Sequence, residues 1–193
     1  MSNTSDSSVI PAPILTLPTC LIRRHHASDI PRIAQLANNP NIAHRLRSTF
    51  PSPYTLADAE TFVNRALSNK ESLHYAICDP LTNEFMGGIA IRPMAADETL
   101  TYELGYWLGE PYWGRGIMTD AARGFSRWVF ENWNEDKLQR LEAHIYETNK
   151  GSKAVVSKAG FVLEGTKRRA GFKHGEVFDV FVFGMIRDDL KSS

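Results

Sequence analysis

The stretch LGYWLGEPYWGRGIMT, residues 104–119, decides the predicted fold of the chain. It begins in a strand-like run, continues through a tight turn at Gly114-Arg115-Gly116, and ends where a helix begins near Thr119. Glycines let a backbone approach a phosphate closely and adopt the dihedrals that point consecutive N–H groups inward. The first-turn amides of the helix, roughly Ile117 to Asp120, are unpaired donors at the positive end of the helix dipole. The pattern is therefore compatible with a pyrophosphate site, with Arg115 as an added cation.

Taken alone, a Gly-x-Gly turn is weak evidence for a ligand, because glycines are common in turns that bind nothing. The stretch is not a Walker A loop, which needs Gly-Lys-Ser/Thr. It is not a Rossmann fingerprint either, because that needs a third glycine and a parallel βαβ unit. At this point a structural turn and a phosphate cradle both remain open.

Outward from this loop, hydrophobic periodicity predicts a single α/β domain with a mixed sheet. The predicted order is a strand, two or three helices, three strands, a helix, a strand, a short helix and two strands. The three consecutive strands, at 73–78, 85–91 and 100–108, are expected to form an antiparallel meander, with 95–98 connecting the last two. Residues 1–18 are rich in Ser, Thr and Pro and are predicted to form a flexible arm, which joins the fold near Leu15 or Leu17, before a domain at 19–193.

Composition argues against several classes of protein. Lys+Arg and Asp+Glu both total 22, so the formal net charge is zero and no global field attracts nucleic acid or an acidic membrane. No apolar run approaches the roughly 20 residues that span a bilayer, and the polar start lacks the pattern of a secretory signal. The two cysteines and six histidines show no metal-ligand spacing. We therefore expect a cytoplasmic protein, with a nuclear location as the alternative, that binds no metal, nucleic acid or membrane.

A second motif follows the next predicted strand. Asn149 and Ser152 stand at the start of a short helix, and Gly160-Phe161 closes that helix before another strand. With Gly114-Arg115-Gly116 upstream, this order resembles the GNAT superfamily of acetyl-CoA-dependent N-acetyltransferases. The pyrophosphate loop of that family reads Arg/Gln-x-x-Gly-x-Gly/Ala, and Pro111 departs from it at the first position. The resemblance favours the phosphate cradle over the structural turn.

The resemblance extends over about residues 20–187, and several segments are similar to the RimJ/RimL branch, which includes ribosomal-protein N-terminal acetyltransferases. It implies a mixed, mostly antiparallel central sheet with helices on both faces and a splay between the fourth and fifth strands, here 101–108 and 138–147. The pantetheine arm of acetyl-CoA, the co-substrate, is expected in that gap. The residues expected to bind the coenzyme are Tyr106, Trp107, Leu108, Trp113, Gly114, Arg115, Gly116, Ile117, Met118, Thr119 and Asn149.

Two residues are candidates for proton transfer. Glu103 is a carboxylate within a mostly apolar strand, where burial would raise its pKa and make it a better base for the amine; the alternative is a structural pairing with an arginine. Many GNAT enzymes protonate the thiolate with a tyrosine seven residues after the motif asparagine, but that position is Val156 here. Ser152 is the substitute donor, although capping of the short helix explains it equally well. The backbone amide near Leu108 is expected to polarise the thioester carbonyl.

The acceptor amine is expected beside a stiff aromatic loop and near the last strand. Phe50 and Tyr54 are predicted to form the pocket wall, and Asp179 is a candidate for binding a cationic substrate, with a structural role as the alternative. Lys167-Arg168-Arg169 and Lys173 form a basic hairpin that is either a solvated turn or a contact for the coenzyme 3′-phosphate or an acidic substrate.

These patterns favour an N-acetyltransferase that acts on a primary amine, a protein N-terminus or a small molecule, by direct attack in a ternary complex. A polyamine or aminoglycoside acceptor would need an acidic pocket, whereas a peptide would need an open groove. Pro111 and Val156 also allow a non-catalytic acyl-CoA sensor on the same fold, and an adaptor without coenzyme is the third alternative. We expect a monomer or a homodimer.

Overall fold

The structure, a computed structural model, describes residues 9–69, 73–94 and 98–192. Its centre is an eight-stranded sheet in the order β1-β2-β3-β4-β5-β6-β8-β7, in which the described pairs are antiparallel except β5 with β6. The strands are β1 Pro13–Thr16, β2 Leu21–Arg23, β3 His74–Cys78, β4 Phe85–Pro93, β5 Thr101–Leu108, β6 Arg140–Tyr146, β7 Val162–Lys173 and β8 Glu176–Ile186. This is the mixed, mostly antiparallel sheet that the sequence predicts.

The described residues form five α-helices, of which four pack on the two faces of the sheet. They are α1 Ile30–Ala37, α2 Pro40–Ala43, α3 Leu56–Ser68, α4 Ile117–Asn132 and α5 Lys150–Ala159. The larger core cluster joins α4 and α5 to one face, and the smaller cluster joins α1 and α3 to the other. A capping box begins α3: Thr55 Oγ1 accepts from the Asp58 amide, and the Asp58 carboxylate accepts from the Thr55 amide.

The N-terminal segment differs from its prediction. Residues 13–16 form strand β1, which pairs with β2, and the side chain of Leu17 packs within about van der Waals contact of Gly124 on α4, where an added β-carbon would lie 2.9 Å from it. Leu15 and Leu17 both pack against α4, at the place where the arm is expected to join the fold. The flexible arm is wrong for residues 13–16, because they form a strand. Residues 1–8 of that arm, and 95–97 of the predicted connection, lie outside the described residues.

The sheet opens between β5 and β6. Their parallel ladder pairs Thr101 with Arg140, Tyr102 with Leu141 and Glu103 with Glu142, and it ends there. Strand β5 nevertheless continues to Leu108 and β6 to Tyr146. The last five residues of β5 therefore diverge from β6, which confirms the splay that the resemblance implies. It lies between the fifth and sixth strands because β1 adds one to the count.

The final hairpin is longer than predicted. The Lys167-Arg168-Arg169 segment lies within β7, which is bulged between Lys167 and Gly171, and the turn falls at His174-Gly175. Lys173 donates from Nζ to the carbonyl oxygen of Ala43, at 2.5 Å, and to that of Leu46. Lys173 is thus docked at the end of α2 and on the turn after it, whereas Lys167, Arg168 and Arg169 are exposed, as the solvated alternative predicts.

Candidate active site

The glycine loop has the geometry that an anion site requires. Gly114 and Gly116 have φ angles of +73° and +79°, in the left-handed region that side chains avoid, and Gly116 is the N-cap of α4. A β-carbon at either glycine would meet no heavy atom within 4 Å, so the loop borders open space. The Asp120 amide already donates to the Gly116 carbonyl at 3.0 Å. The free first-turn donors are therefore Ile117, Met118 and Thr119, and Asp120 is not one of them.

Trp113 fastens this loop to the end of β5. Its indole Nε1 donates to the Leu108 carbonyl oxygen at 2.7 Å, and the Arg45 guanidinium lies 5.0 Å from its ring centroid. The hydrogen bond fixes the angle at which the chain leaves the strand. Trp113 therefore shapes the loop from the side of β5.

Backbone direction along β5 separates the residues predicted to bind pantetheine. The Leu100 carbonyl accepts from the Arg140 amide on the β6 side, and the Gly109 amide donates to Met86 on the β4 side. Because polar groups of successive strand residues point to opposite edges, Tyr106 and Leu108 present theirs to the splay. The backbone of Trp107 points to β4 instead. Its ring packs beside Phe50 and Phe85 and lines the cleft, so a contact of Trp107 with the coenzyme stays a prediction for the side chain.

The start of α5 faces the splay from the other side. The Asn149 side-chain oxygen accepts from the Ser152 amide at 3.1 Å and caps the helix. The Ser152 hydroxyl lies 2.7 Å from the Tyr106 hydroxyl, with which it shares a hydrogen bond. Burial raises the pKa of Tyr106 well above its ordinary value, so this phenol stays protonated at neutral pH. Sequence reasoning assigned only backbone contacts to Tyr106 and missed this pair.

Glu103 lies where the splay begins and is 7% exposed. Both of its carboxylate oxygens accept from Arg47 Nη2, at 2.5 and 2.6 Å, and Arg92 Nε lies 3.1 Å from Oε2. Burial raises the pKa of Glu103, while the Arg47 guanidinium and His144 oppose that shift. The predicted burial is confirmed, and so is the alternative of pairing with arginine. Neither arginine was a sequence candidate.

A second titratable group lies on the same face, on β6. His144 Nδ1 is 4.0 Å from the Glu103 carboxylate, and its Nε2 is 2.5 Å from Glu142 Oε1. Burial opposes the ionisation of Glu142, yet Arg140 and His144 hold its pKa below the ordinary value. Sequence reasoning considered His144 only as a metal ligand. The alternation of β6, with Leu141, Ala143 and Ile145 on the core side, is the signal that would have placed His144 and Tyr146 in the lining of the cleft. Glu142 lies on the same face of the strand but does not line the cleft.

The predicted acceptor wall is only partly brought together. Phe50 and Tyr54 stack at 4.9 Å and line the cleft, and burial raises the pKa of Tyr54 to about 12. Asp179 does not line it. Its carboxylate accepts from the Arg169 amide at 2.7 Å, because the bulge in β7 folds that amide over it. The substrate-binding prediction for Asp179 is therefore wrong, and its alternative structural role holds.

One cleft of about 1280 Å³ joins these parts. It runs from the glycine loop, past Tyr106 and Ser152 at the splay, to Glu103, His144 and the Phe50–Tyr54 wall. Among the described residues no three His, Cys, Asp or Glu side chains are grouped so as to hold a metal ion, and no described helix is long and apolar enough to cross a membrane. The cleft connects a site for an anionic ligand to a buried, titratable far end.

This combination of fold and site defines the class of protein. A family model described as "Acetyltransferase (GNAT) domain" matches residues 20–162, and the chain belongs to that family. Its relatives include the Bacillus subtilis protein "Probable N-acetyltransferase YjcK", 33% identical over 103 residues, which are 53% of this chain and 55% of the relative. They also include the Escherichia coli ribosomal-protein-serine acetyltransferase, 31% identical over 88 residues, 46% of this chain and 48% of the relative. The alignments thus span about half the length of these two relatives.

Solved structures match over nearly the whole chain. A GNAT-family acetyltransferase from Bacillus anthracis has a TM-score of 0.77 at 21% identity, covering 90% of this chain and 98% of that one. RimL in complex with coenzyme A has a TM-score of 0.74 at 22% identity, covering 92% of this chain and 99% of that one. The Vibrio cholerae spermidine N-acetyltransferase in complex with CoA and spermine has a TM-score of 0.73 at 18% identity, covering 90% of this chain and 98% of that one. At these identities the likeness establishes the shared GNAT fold.

Proposed function

We propose that this chain transfers an acetyl group from acetyl-CoA to a primary amine, a protein N-terminus or a small molecule, by direct attack in a ternary complex. The observation that carries the proposal is the continuous cleft from the Gly114–Gly116 loop, through the splay, to the Glu103–His144 end. Membership of the GNAT family, and relatives named as acetyltransferases, support it.

The coenzyme is held by backbone groups more than by charged side chains. The amides of Ile117, Met118 and Thr119 donate to the pyrophosphate at the positive end of α4, and Arg115 adds a cation beside it. Because Pro111 has no donor side chain, the backbone carries this contact. The open space above Gly114 and Gly116 fits a phosphate group that a side chain there would obstruct.

The pantetheine arm lies in the splay against the polar edge of β5. Tyr106 and Leu108 offer backbone groups on that edge. The side-chain oxygen of Asn149 caps α5, so its side-chain nitrogen Nδ2 remains as a donor to the coenzyme. The Leu108 carbonyl is held by Trp113, so the Leu108 N–H is the donor that polarises the thioester carbonyl.

An alkyl amine is mostly protonated at neutral pH and must lose a proton before it attacks. Glu103 alone is a constrained base, because two guanidiniums share its oxygens. We assign proton removal to the Glu103–His144 pair, in which the more exposed imidazole accepts the proton and the carboxylate at 4.0 Å stabilises the resulting cation. At the other side of the thioester, Ser152 donates to the departing thiolate and the Tyr106 hydroxyl donates in turn to Ser152.

The test is acetylation of a panel of peptides and small amines by the full chain with acetyl-CoA, followed by thiol release and by product mass. Turnover with at least one amine supports the proposal. Tight acetyl-CoA binding without turnover of any amine would favour the acyl-CoA sensor, and absence of binding would favour the adaptor. A matched acetyl-CoA control without acceptor measures hydrolysis.

A further inference from the structure

The acceptor end of the cleft is rich in positive charge. The cations that line it are Arg47 and Arg92 beside Glu103, Arg65 on α3 and Lys167 on β7, whereas the lining carboxylates are Glu103 and Asp58. Asp58 is already used as the acceptor of the α3 capping box. The charge that faces an incoming amine is therefore positive and comes from guanidinium groups.

Arg47 and Arg92 are both paired with Glu103, and each retains N–H groups that Glu103 does not use. Their side chains are 50% and 44% exposed, whereas the Glu103 carboxylate between them is 8% exposed. In the described contacts Arg47 reaches Glu103 through Nη2, and Arg92 through Nε and Nη2. A guanidinium carries five N–H donors in a planar fork, so each arginine keeps N–H groups for a further acceptor. Glu103 thus neutralises one of two charges and fixes the orientation of both.

We propose that the acceptor is a primary amine with a carboxylate close to the reacting nitrogen, and that Arg47 and Arg92 bind that carboxylate. This inference rests on the proposed acetyl transfer and specifies its substrate class. Arginine forks match carboxylates bidentately, and a fork already fixed by a buried carboxylate loses little side-chain entropy on binding. A polycationic amine such as spermidine meets like charge at the same place and is disfavoured.

Peptides of identical length test the preference directly. Each begins with serine and carries Asp-Glu, Asn-Gln or Lys-Lys at the next two positions; aspartate and spermidine form the small-molecule arm. We expect kcat/KM to fall from the acidic to the neutral to the basic peptide, by about tenfold or more overall, a difference of about 1.4 kcal/mol. The preference should shrink as ionic strength rises. Faster turnover of aspartate than of any peptide would identify the small molecule as the source of the carboxylate.

Equal or reversed rates for the acidic and basic acceptors would overturn the inference while leaving the acetyltransferase proposal intact. If no amine is acetylated although acetyl-CoA binds, it is the proposed function that fails. The two failures are therefore distinguishable in one set of assays.

Variants separate substrate binding from support of Glu103. Arg47→Gln and Arg92→Gln should raise KM for the acidic peptide at least about fivefold more than for the neutral one, roughly 1 kcal/mol. Arg127→Gln, an exposed arginine on α4 outside the cleft, is the matched control and should leave both values unchanged. If each cleft variant lowers turnover of both peptides equally, the arginines only hold Glu103, and the inference is wrong. Acetyl-CoA titration of each variant checks that it is folded.

Discussion

The hydroxyl of Tyr106 on β5 and the hydroxyl of Ser152 on α5 lie 2.7 Å apart, and this hydrogen bond spans the splay of the sheet. Tyr106 belongs to the strand that has lost its neighbour, whereas Ser152 belongs to the helix that follows β6. The pair therefore couples the two halves of the cleft at the place proposed for the thioester. It is also the proposed proton donor, since Val156 offers none.

Removal of the phenol hydroxyl in Tyr106→Phe should lower kcat by about tenfold, less than the loss of a direct proton donor, because Tyr106 acts through Ser152 and Ser152 is retained. KM for acetyl-CoA should change little, because the backbone of residue 106 is retained. The loss of one buried hydrogen bond should cost about 1 kcal/mol of stability. Steady-state kinetics of Tyr106→Phe are compared with those of Tyr102→Phe, a matched control on the same strand. An unaltered kcat in Tyr106→Phe would remove the hydroxyl pair from the reaction.

Replacement of a glycine in the phosphate loop should affect the coenzyme specifically. Gly116→Ala forces alanine into a left-handed conformation, at a cost of about 1 kcal/mol, and alters the direction of the first amides of α4. We expect acetyl-CoA affinity to fall by about tenfold, or 1.4 kcal/mol. Gly175→Ala is the matched control, since Gly175 has φ of +83° and equally open surroundings in the β7–β8 turn. Gly175→Ala should cost similar stability and leave the affinity for acetyl-CoA unchanged. Equal losses of affinity in the two variants would contradict the assignment of Gly116 to the coenzyme site.

Neutralisation of the buried carboxylate in Glu103→Gln should lower kcat by about a hundredfold, at the lower end of what acid–base groups contribute. The shape of the side chain is kept, but the two guanidiniums and His144 lose their counter-charge. Glu84→Gln, which removes an exposed carboxylate paired with Arg32, is the control and should behave as the unmodified protein. Wild-type turnover in Glu103→Gln, measured by thiol release, would exclude Glu103 from proton transfer.

His25 should make the protein sensitive to acid. The ring is 2% exposed between Phe62 and Phe85, both ring nitrogens lack a hydrogen-bond partner among the described residues, and burial lowers its pKa from 6.5 to about 4. The unfolded chain therefore binds a proton at His25 below about pH 6.5, whereas the folded chain binds it only below about pH 4. Stability from this group is present above pH 6.5 and is lost as the pH falls, by about 3 kcal/mol at pH 4.

Urea unfolding of His25→Phe between pH 7 and pH 4 measures that contribution. The variant should lose less stability over this interval than the unmodified chain. His174→Asn, at an exposed turn position whose φ of +53° suits asparagine, should follow the unmodified chain. Parallel curves for His25→Phe and the unmodified chain would show that the histidine is not held neutral.

Much of the fold was predictable from local patterns. The meander and the glycine turn into α4 each depend on a few adjacent residues, and the splay was implied by the family resemblance that the Gly114 and Asn149 motifs carry. The strand at 13–16 was not predicted within the arm, because its pairing with β2 and the packing of Leu17 on Gly124 depend on residues outside the segment. Composition alone describes a segment such as 13–18 and not the surface that it covers.

The candidate site was less predictable, because its chemistry depends on long-range register. Arg92 meets Glu103 only through the β4–β5 pairing, and Arg47 reaches it from a turn 56 residues earlier in the chain. Tyr106 meets Ser152 only because α5 docks beside the opened strand. The bulge in β7 brings the Arg169 amide to Asp179, and a bulge cannot be located from strand alternation. The structural partner of Asp179 was therefore not visible in the sequence. Backbone sites such as Gly114–Gly116 are local and were found, whereas side-chain partners across the sheet were not.

The central claim is that the splay and the glycine loop bind acetyl-CoA, and calorimetric titration of the full chain with acetyl-CoA tests it most directly. We expect one site with a micromolar dissociation constant, and a stabilisation against unfolding of about 2.7 kcal/mol at a hundredfold excess over that constant. Gly116→Ala should weaken the binding and Gly175→Ala should not. Absence of both heat and stabilisation at millimolar acetyl-CoA would contradict the account.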